Sequence, residues 1–469
     1  MAREITEIER AYAQELLARA RRAMCLIDDY SQEKVDRLCQ AVAWAVANEK
    51  TFTRLSHMST DESGLGDREA RVNKRFKIMG ILRDALRQKS VGIIEEIPEK
   101  GIVKYAKPAG VIASLVPVTN ASLTEAGNGI NALKCKDAII FSPHPSAHKT
   151  TNETVRIMRA ALERQGVPAD IFQCIEKPSI PLAQELMSIC DLTIATGGPA
   201  MVRSAYSSGK PAFGVGAGNS TMVIDETADI AEAARNTRLS KTSDNGSGCS
   251  ADGNLLVDES IYDRFLDQLQ VEGGYLCGED EKQKLLAVMW DSEGHRTLDT
   301  VARPAAKIAQ IAGFSIPPGK KFLIVKEEHI GKDHKFSTEK LSPLLAIFKY
   351  SGFDRVLTMV RQIYEVGGKG HSCGIYSFDD DHIHRLAMVA PVSRMMVRQP
   401  QSKANAGAFN NGMPMTSSLG CGIWGGNITN ENISLKHYMN VTWVSRPIAE
   451  DKPSEAELFG EFYNSEPVD

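Results

Sequence analysis

The stretch from Gly110 to Asn120 reads GVIASLVPVTN, an apolar run that stops at Pro117 and is followed by Thr119 and Asn120. A short, continuous apolar run of this kind is typical of a strand buried in a parallel sheet. Ligands of parallel α/β sheets bind at the carboxyl ends of the strands. Thr119 and Asn120 therefore stand where a binding site is expected.

The same unit recurs beyond this run. The pattern predicts strands at Gly110–Val116, Ala138–Phe141, Ile171–Ile175, Leu192–Ala195 and Ala212–Val215. It predicts intervening helices at Leu123–Leu133, Thr151–Gln165, Pro181–Met187 and Val202–Ser208. Strands that alternate with helices predict a parallel sheet and an α/β fold. Polar or glycine residues follow several strands, among them Ser142, Pro143 and His144, then Thr196, Gly197 and Gly198.

The flanking regions differ from this series. The first ninety residues are helical in pattern, and Ile93–Tyr105 predicts a β-hairpin. After a helix at Asp229–Lys241, a second α/β region has predicted strands at Asn254–Val257, Lys321–Val325, Leu344–Phe348, Cys373–Phe378 and Ser393–Val397. The acidic segment from Glu450 to Asp469 is expected to be a solvated tail.

Composition limits the possible functions. The 469 residues are 42% hydrophobic and 24% charged, and 55 basic against 59 acidic side chains give a net charge of −4. These values indicate a globular protein of two or three domains, or of one large α/β unit. The near-neutral net charge does not show the excess of basic residues that is typical of nucleic-acid-binding proteins. We therefore expect no nucleic-acid or membrane partner. No stretch approaches the ~18 apolar residues of a membrane span.

Nine cysteines are spread along the chain, and none forms a C-x-x-C pair. An odd number of scattered cysteines favours reduced thiols and a cytoplasmic protein. Cys249 differs from the others because it follows the small-residue loop Asn245–Gly248. Free backbone N–H groups in such a loop would lower the pKa of the thiol and make it a nucleophile. An inert loop cysteine is the alternative.

Other motifs are weak or absent. The sequence has no P-loop, no H-E-x-x-H and no EF-hand loop, and the glycines around Gly214 do not make a regular dinucleotide fingerprint. The run from Asp379 to His384 could bind a metal, but a solvated turn before a helix is the preferred interpretation. We therefore expect no metal site.

Taken together, ordered segments of the chain resemble the aldehyde dehydrogenase superfamily, specifically its CoA-acylating branch. The resemblance runs from about Pro108 to Val444. The segments that carry it are Pro117–Asn120, Phe141–Pro145, Ser208–Pro211, Gly214–Asn219, Ser240–Thr242, Asp244–Cys249, Glu339–Pro343, Gly370–Ser372 and Leu419–Asn427.

The resemblance implies the aldehyde dehydrogenase fold. A Rossmann-like cofactor domain would comprise residues 1–92 and 110–239, and an α/β catalytic domain residues 240–431. An oligomerisation arm and tail would comprise residues 93–109 and 432–469, with contacts near Ile93–Tyr105 and His437–Val444. This arrangement implies a homodimer or homotetramer.

The resemblance also implies roles for individual residues. Cys249 would be the nucleophile, and Asn120 would donate its amide to the oxyanion. His371 is a candidate proton acceptor, with a packing histidine beside the cofactor channel as the alternative. The nicotinamide coenzyme, NAD or NADP, would be held by residues that follow the strands. These are Thr119, Ser142, Pro143, His144, Thr196, Gly197, Gly198, Gly214, Val215 and Glu339.

One departure from the family bears on the reaction. Hydrolytic members carry a glutamate, the base that activates water, where this chain has Gly214. Without that base a thiol is the better acceptor, because a thiolate is intrinsically nucleophilic. The sequence therefore favours acyl transfer from Cys249 to coenzyme A.

A second departure bears on the aldehyde. Arg394 and Arg398 would lie on one face of a strand, and Arg398 stands where relatives often have asparagine. A buried guanidinium there would bind a carboxylate or sulfonate, and a surface ion pair of Arg398 is the alternative. Together with the polar run Asn405–Asn411, this favours sulfoacetaldehyde as the substrate, with Arg398 and Asn120 binding it. Acetaldehyde, propionaldehyde and succinate semialdehyde remain alternatives. A hydrolytic dehydrogenase and a non-catalytic cofactor-binding protein are the competing functions.

Overall fold

The computed structural model describes residues 3–466, which form three sheets surrounded by helices. The strands are β1 Ile93–Ile97, β2 Ile102–Pro108, β3 Val111–Val116, β4 Ala138–Pro143, β5 Phe172–Cys174, β6 Leu192–Ala195, β7 Ala212–Gly214, β8 Thr221–Ile224, β9 Asn254–Asp258, β10 Gly274–Leu276, β11 Phe322–Lys326, β12 Leu344–Tyr350, β13 Cys373–Tyr376, β14 Met395–Val397 and β15 Met439–Ser445. The helices are α1 Glu7–Cys25, α2 Gln32–Ala47, α3 Glu49–Ser63, α4 Arg75–Leu86, α5 Leu123–Lys134, α6 His148–Glu163, α7 Ile180–Ile189, α8 Pro199–Tyr206, α9 Ile230–Lys241, α10 Tyr262–Val271, α11 Glu279–Met289, α12 Ala305–Ile311, α13 Phe353–Val366, α14 Asp380–Val389, α15 Gln401–Ala404 and α16 Glu455–Phe459.

The first sheet has five parallel strands in the order β5-β4-β3-β6-β7. All residues of β3 and β4 are buried, because helices cover both faces of the sheet. This order runs outward from β3 in both directions, as in a Rossmann half. The crevice between the ends of β3 and β6 is the point where such sheets bind ligands. The predicted parallel α/β sheet is confirmed.

The second sheet has seven parallel strands in the order β10-β11-β12-β9-β8-β13-β14. Its central strands carry long apolar side chains on both faces, and two separate cores form against them. The sequence pattern did not predict β8 or β10. Because β8 lies in the middle of this sheet, the change from one sheet to the next along the chain falls between Gly214 and Thr221.

The third sheet is an antiparallel ribbon in the order β1-β2-β15. The predicted hairpin at Ile93–Tyr105 is confirmed as β1 and β2, which a single turn of 3-10 helix joins. Residues 440–466 are exposed throughout. The tail is nevertheless not purely polar, because Trp443, Leu458 and Phe462 expose large apolar side chains.

Candidate active site

Cys249 lies between a turn at Ser243–Gly246 and strand β9, so it precedes the amino end of the second sheet. The turn is unusual because Asp244, Asn245 and Gly246 all have left-handed backbones, with φ of 50°, 52° and 66°. Such conformations cost free energy in residues other than glycine and persist only where their surroundings hold them. The backbone that presents the thiol is therefore held in place by its neighbours.

The neighbours that hold this turn meet at the carboxylate of Asp244. Arg71 pairs with it at 3.0 Å and Lys74 at 2.7 Å, and Ser247 Oγ donates to it at 2.9 Å. Arg71 is buried, and the two cations hold the pKa of Asp244 well below its usual range against the effect of burial. The carboxylate thus stays charged and ties the turn to the segment that precedes α4.

Lys74 also reaches the sequence-predicted oxyanion residue. Its Nζ donates to Oδ1 of Asn120 at 2.8 Å and to the backbone oxygen of Thr119 at 2.8 Å. An ammonium group cannot accept a hydrogen bond, so the oxygen of the Asn120 amide must face Lys74. The Nδ2 group of Asn120 is then the free end of the amide. No sequence pattern indicates Lys74, since it lies 46 residues before Asn120.

His371 contacts the candidate nucleophile directly. Its Nε2 lies 3.0 Å from Sγ of Cys249, although the two residues are 122 positions apart. The imidazole is fully buried, and burial together with the charge of Arg394 lowers its pKa to about 3. Burial raises the pKa of the Cys249 thiol to about 12. The resting pair is therefore a neutral thiol and a neutral imidazole. The expectation that the loop lowers the thiol pKa is wrong, because desolvation outweighs the loop's polar groups.

Arg394 is a buried cation beside this pair. Its guanidinium donates to the backbone oxygens of His371, Gly420 and Asn430, and its Nε has no partner among the described residues. Within residues 3–466 no carboxylate forms an ion pair with it. A buried charge without a counter-ion is costly, so its field favours negative charge nearby. Sequence patterning had identified Arg394 only as a neighbour of Arg398 on one strand.

Gly218 is required for the approach of the Cys249 loop. A Cβ atom on Gly218 would overlap the backbone carbonyl of Cys249. The N–H of Gly218 donates to Oε1 of Glu339 at 3.1 Å. Burial raises the pKa of Glu339 to about 7, against the opposing effects of this hydrogen bond and of Lys241. The Glu339 carboxyl group thus lies against the segment that packs on the Cys249 loop.

The remaining cofactor candidates follow strands of the first sheet. Thr119 and Asn120 follow β3, Ser142 and Pro143 end β4, and Thr196 follows β6. The α8 helix then begins at Pro199, and no side chain caps its amino terminus at Gly198. A Cβ on Gly198 would meet no atom within 4 Å. This open helix terminus can accept an anion such as a pyrophosphate.

Gly214 ends β7 in a closely packed position. A Cβ there would lie 2.6 Å from Cγ1 of Val202 and 2.9 Å from the ring of Tyr206, whose hydroxyl accepts the N–H of Gly214. No carboxylate could project from this position without moving both side chains. Val215 follows, buried, and continues the backbone toward Gly218.

The structure corrects the role expected for Arg398. The β14 strand ends at Val397, and Arg398 is exposed, with a left-handed φ of 52° and its guanidinium over the ring of Phe378. Cys249 and His371 precede strands of the second sheet, whereas Arg398 follows one. Because all seven strands are parallel, Arg398 lies at the opposite edge of the sheet from the thiol. It is not a buried guanidinium in the pocket.

The Asp379–His384 segment forms the predicted turn and helix start. Asp379 caps α14 by accepting from the backbone N–H groups of Asp381 and His382. The side chains of Asp225, Glu226 and His382 come close enough to share an ion, but His382 Nδ1 is bonded to Asp225 at 2.9 Å. Its ring also stacks on Phe353. These contacts hold the His382 ring between Asp225 and Phe353.

A buried thiol in contact with an imidazole, in a chain with a Rossmann-like sheet, is consistent with the class of protein that sequence comparison identifies. A profile of the aldehyde dehydrogenase family matches residues 2–413, and the chain belongs to that family. It is 44% identical over 452 residues to the sulfoacetaldehyde dehydrogenase of an Acholeplasma species, covering 95% of this chain and 93% of the relative. It is 39% identical to the acylating sulfoacetaldehyde dehydrogenase of Bilophila wadsworthia, covering 95% and 97% of the two chains.

A solved structure agrees as well. The acetylating aldehyde dehydrogenase of Geobacillus thermoglucosidasius superposes with a TM-score of 0.92 at 34% identity, covering 96% of this chain and all of that one. The resemblance predicted from the sequence is therefore confirmed at the level of the family and of the fold. Among residues 3–466, no helix is both long enough and apolar enough to cross a membrane.

Proposed function

We propose that this protein oxidises a small aldehyde to its acyl-CoA through a thioester on Cys249. The observation that carries the proposal is the 3.0 Å contact between Cys249 Sγ and His371 Nε2, at a site with no room for a carboxylate at Gly214. A neutral imidazole in contact with a thiol is positioned to take its proton. The similarity to acylating relatives over 95% of the chain supports the same reaction class.

Cys249 acts as the nucleophile and Asn120 as the oxyanion donor. When the thiolate attacks the carbonyl carbon, the carbonyl oxygen gains charge, and the free Nδ2 of Asn120 donates to it. Removing one such donor costs about 100-fold to 1,000-fold in other enzymes. Lys74 fixes which end of the amide is offered, and Arg394 supplies a buried positive charge near the sulfur.

The residues of the crevice fit a nicotinamide coenzyme, NAD or NADP, which accepts the hydride when bound. The uncapped start of α8 with Thr196, Gly197 and Gly198 would bind the pyrophosphate, and Glu339 a ribose hydroxyl. The adenosine side of the crevice would be lined by Thr119, Ser142, Pro143 and His144. The bottom of the crevice would be formed by Gly214 and Val215. The open backbone at Gly198 supports this assignment, because an approaching phosphate needs that space.

Coenzyme A is the proposed acyl acceptor. Its thiol can attack the thioester if a base takes its proton, and His371 is neutral at the pH of the cell because its pKa is lowered to about 3. A hydrolytic enzyme needs a base that activates water instead, and the packing around Gly214 disfavours one at that position. The alternative of a non-catalytic binding protein is disfavoured by the assembled Cys249–His371 pair.

We propose sulfoacetaldehyde as the aldehyde, on the strength of the two relatives named for it. The charges around the thiol are compatible with an anionic substrate. The guanidinium of Arg394 places a buried positive charge near the Cys249 sulfur. A buried positive charge attracts small anions. Acetaldehyde, propionaldehyde and succinate semialdehyde are the competing substrates.

We also propose that the protein works as a homodimer or homotetramer in the cytoplasm. The exposed ribbon β1-β2-β15, with Val441, Trp443 and Val444 at its surface, supports an oligomerisation arm. All nine cysteines are free, which supports a reducing compartment. The proposed cofactor domain comprises residues 1–92 and 110–239, and the proposed catalytic domain comprises residues 240–431.

Reduced coenzyme formation with and without CoA tests the proposed reaction. Purified protein is assayed with sulfoacetaldehyde and each competing aldehyde, with NAD or NADP, and acyl-CoA is quantified by mass spectrometry. The proposal expects sustained turnover only with CoA and a stoichiometric yield of sulfoacetyl-CoA. Equal turnover without CoA, with a free acid as product, would overturn it. Sustained turnover on acetaldehyde but not on sulfoacetaldehyde would overturn only the assignment of sulfoacetaldehyde as the substrate.

A further inference from the structure

Four contacts around the candidate nucleophile form a closed ring of hydrogen bonds. Cys249 Sγ lies 3.0 Å from His371 Nε2, and His371 Nδ1 lies 2.9 Å from Ser372 Oγ. Ser372 Oγ lies 3.0 Å from Ser220 Oγ, which lies 3.2 Å from the backbone oxygen of Cys249. Ser220, Ser372 and His371 are buried, with at most 1% of each exposed.

The backbone oxygen at the end of this ring gives it a direction. A carbonyl oxygen only accepts, so Ser220 must donate to it for that bond to form. Ser372 must then donate to Ser220, and the Nδ1 of His371 must donate to Ser372. Each serine has one proton, so no other assignment makes all four bonds. In this assignment Nε2 carries no proton and accepts from the thiol.

The reversed direction makes fewer bonds. If Ser220 donated to Ser372 and Ser372 to Nδ1, the proton of His371 would move to Nε2 and point at the sulfur. The carbonyl oxygen of Cys249 would then lack the Ser220 donor, and the thiol would lose its acceptor. A buried polar group without a partner destabilises the arrangement that contains it. The first direction is therefore favoured.

We propose that Ser220 and Ser372 are positioning residues that hold His371 in its Nδ1-protonated tautomer, so that Nε2 is a base toward Cys249. The S–H bond of Cys249 breaks as an N–H bond forms at Nε2. The sulfur keeps the electron pair, and the imidazole becomes an imidazolium with both nitrogens protonated. No proton leaves through the serines, because the ring ends on a carbonyl oxygen. This inference rests on the proposed function only in taking Cys249 as the nucleophile.

Nitrogen NMR of the resting protein tests the tautomer directly. Protein labelled with ¹⁵N-histidine is compared with His371→Gln to assign the signals of His371. The proposal expects a protonated Nδ1 and an unprotonated Nε2 in the wild type. It expects Ser372→Ala to shift the population toward the Nε2-protonated form. A wild-type His371 that is already Nε2-protonated, or a tautomer that does not respond to Ser372→Ala, would overturn it.

The reactivity of the thiol provides a second readout that a purely structural role would not move. With Cys25→Ser as background to remove the exposed thiol, we expect Ser372→Ala and Ser220→Ala to slow alkylation of Cys249 at pH 7.5 by about tenfold. The loss should shrink as the pH rises and hydroxide replaces the base. Ser393→Ala is the matched control, because its buried Oγ bonds to nothing among the described residues.

The outcomes of these experiments separate the two proposals. Loss of reactivity in all three serine variants, at every pH, would show general damage and contradict the positioning role. If turnover proved independent of CoA while the tautomer was as expected, the reaction assignment would fail and the tautomer would stand. If the tautomer were reversed while acyl-CoA still formed, only the positioning role would fail.

Discussion

The ammonium group of Lys74 donates a 2.8 Å hydrogen bond to Oδ1 of Asn120 and a 2.7 Å bond to the carboxylate of Asp244. One side chain thus links the predicted oxyanion donor to the strained turn that presents Cys249. All three of its protons are used, because the third goes to the backbone of Thr119. Lys74 therefore acts on the orientation of the site through its neighbours.

Replacement of Lys74 by methionine is expected to lower kcat by about 10-fold to 100-fold, with a smaller change in KM. Without the ammonium group, the Asn120 amide can turn its oxygen toward the substrate. Steady-state kinetics with coenzyme and CoA measures this. Lys89→Met is the control, because Lys89 is exposed and lies just after the end of α4. The double variant with Asn120→Ala should be no slower than Asn120→Ala alone, and full additivity would contradict the link.

Alkylation of Cys249 is expected to change little near pH 7, where neutral His371 is the base, and to rise by about tenfold per pH unit between pH 9 and pH 11, where hydroxide replaces it. The reason is that burial raises the thiol pKa to about 12, so the thiolate fraction formed by hydroxide grows with each unit below that value. Iodoacetamide labelling followed by mass spectrometry, in a Cys25→Ser background, measures the rate. A rate that levels off by pH 8 would mean a low-pKa thiolate and would contradict the desolvated resting pair.

The KM for the nicotinamide coenzyme is expected to fall between pH 6 and pH 8. Glu339 has its pKa raised to about 7 by burial, so it is neutral below pH 7 and charged above. A carboxylate binds a ribose hydroxyl more strongly than a carboxylic acid does. Initial rates across this range test the assignment. Glu339→Gln should raise KM and remove the pH dependence, whereas the exposed Glu328→Gln should behave as wild type.

Arg398→Ala is expected to leave the aldehyde preference unchanged within about twofold. The guanidinium lies over Phe378 at the far edge of the sheet from Cys249, so it is too distant to bind a substrate anion. The ratio of kcat/KM for sulfoacetaldehyde and acetaldehyde measures this. A loss of sulfoacetaldehyde preference by tenfold or more would contradict this prediction and indicate that Arg398 binds the substrate.

Much of the fold could be predicted from local pattern. The β3, β4 and β6 strands are short apolar runs with clear ends. Because such strands are buried on both faces, a continuous apolar run is enough to predict them. The β8 strand, Thr221–Ile224, was not predicted, because four residues directly after a glycine-rich loop carry too little periodicity. It pairs with β9 and β13, which come 30 or more residues later along the chain.

The site was only partly predictable for a related reason. Cys249 is identified by its small-residue loop and by resemblance, both of which are local. The contacts that would make Cys249 reactive and hold its loop join residues more than 100 positions apart in the sequence. They are the contact of Cys249 with His371 and that of Asp244 with Lys74. Arg398 was placed wrongly because a continued strand would alternate its side chains, and the left-handed backbone after Val397 ends that alternation.

In the proposed reaction, Cys249 carries the acyl group until CoA removes it. Protein is mixed with sulfoacetaldehyde and coenzyme in the absence of CoA, and reduced coenzyme and protein mass are followed through a single turnover. We expect a burst of about one reduced coenzyme per subunit, an acyl adduct on Cys249, and its loss as acyl-CoA when CoA is added. Cys249→Ala should give no burst while still binding coenzyme. Continued turnover without CoA, or a burst that leaves no adduct on Cys249, would contradict this role of Cys249.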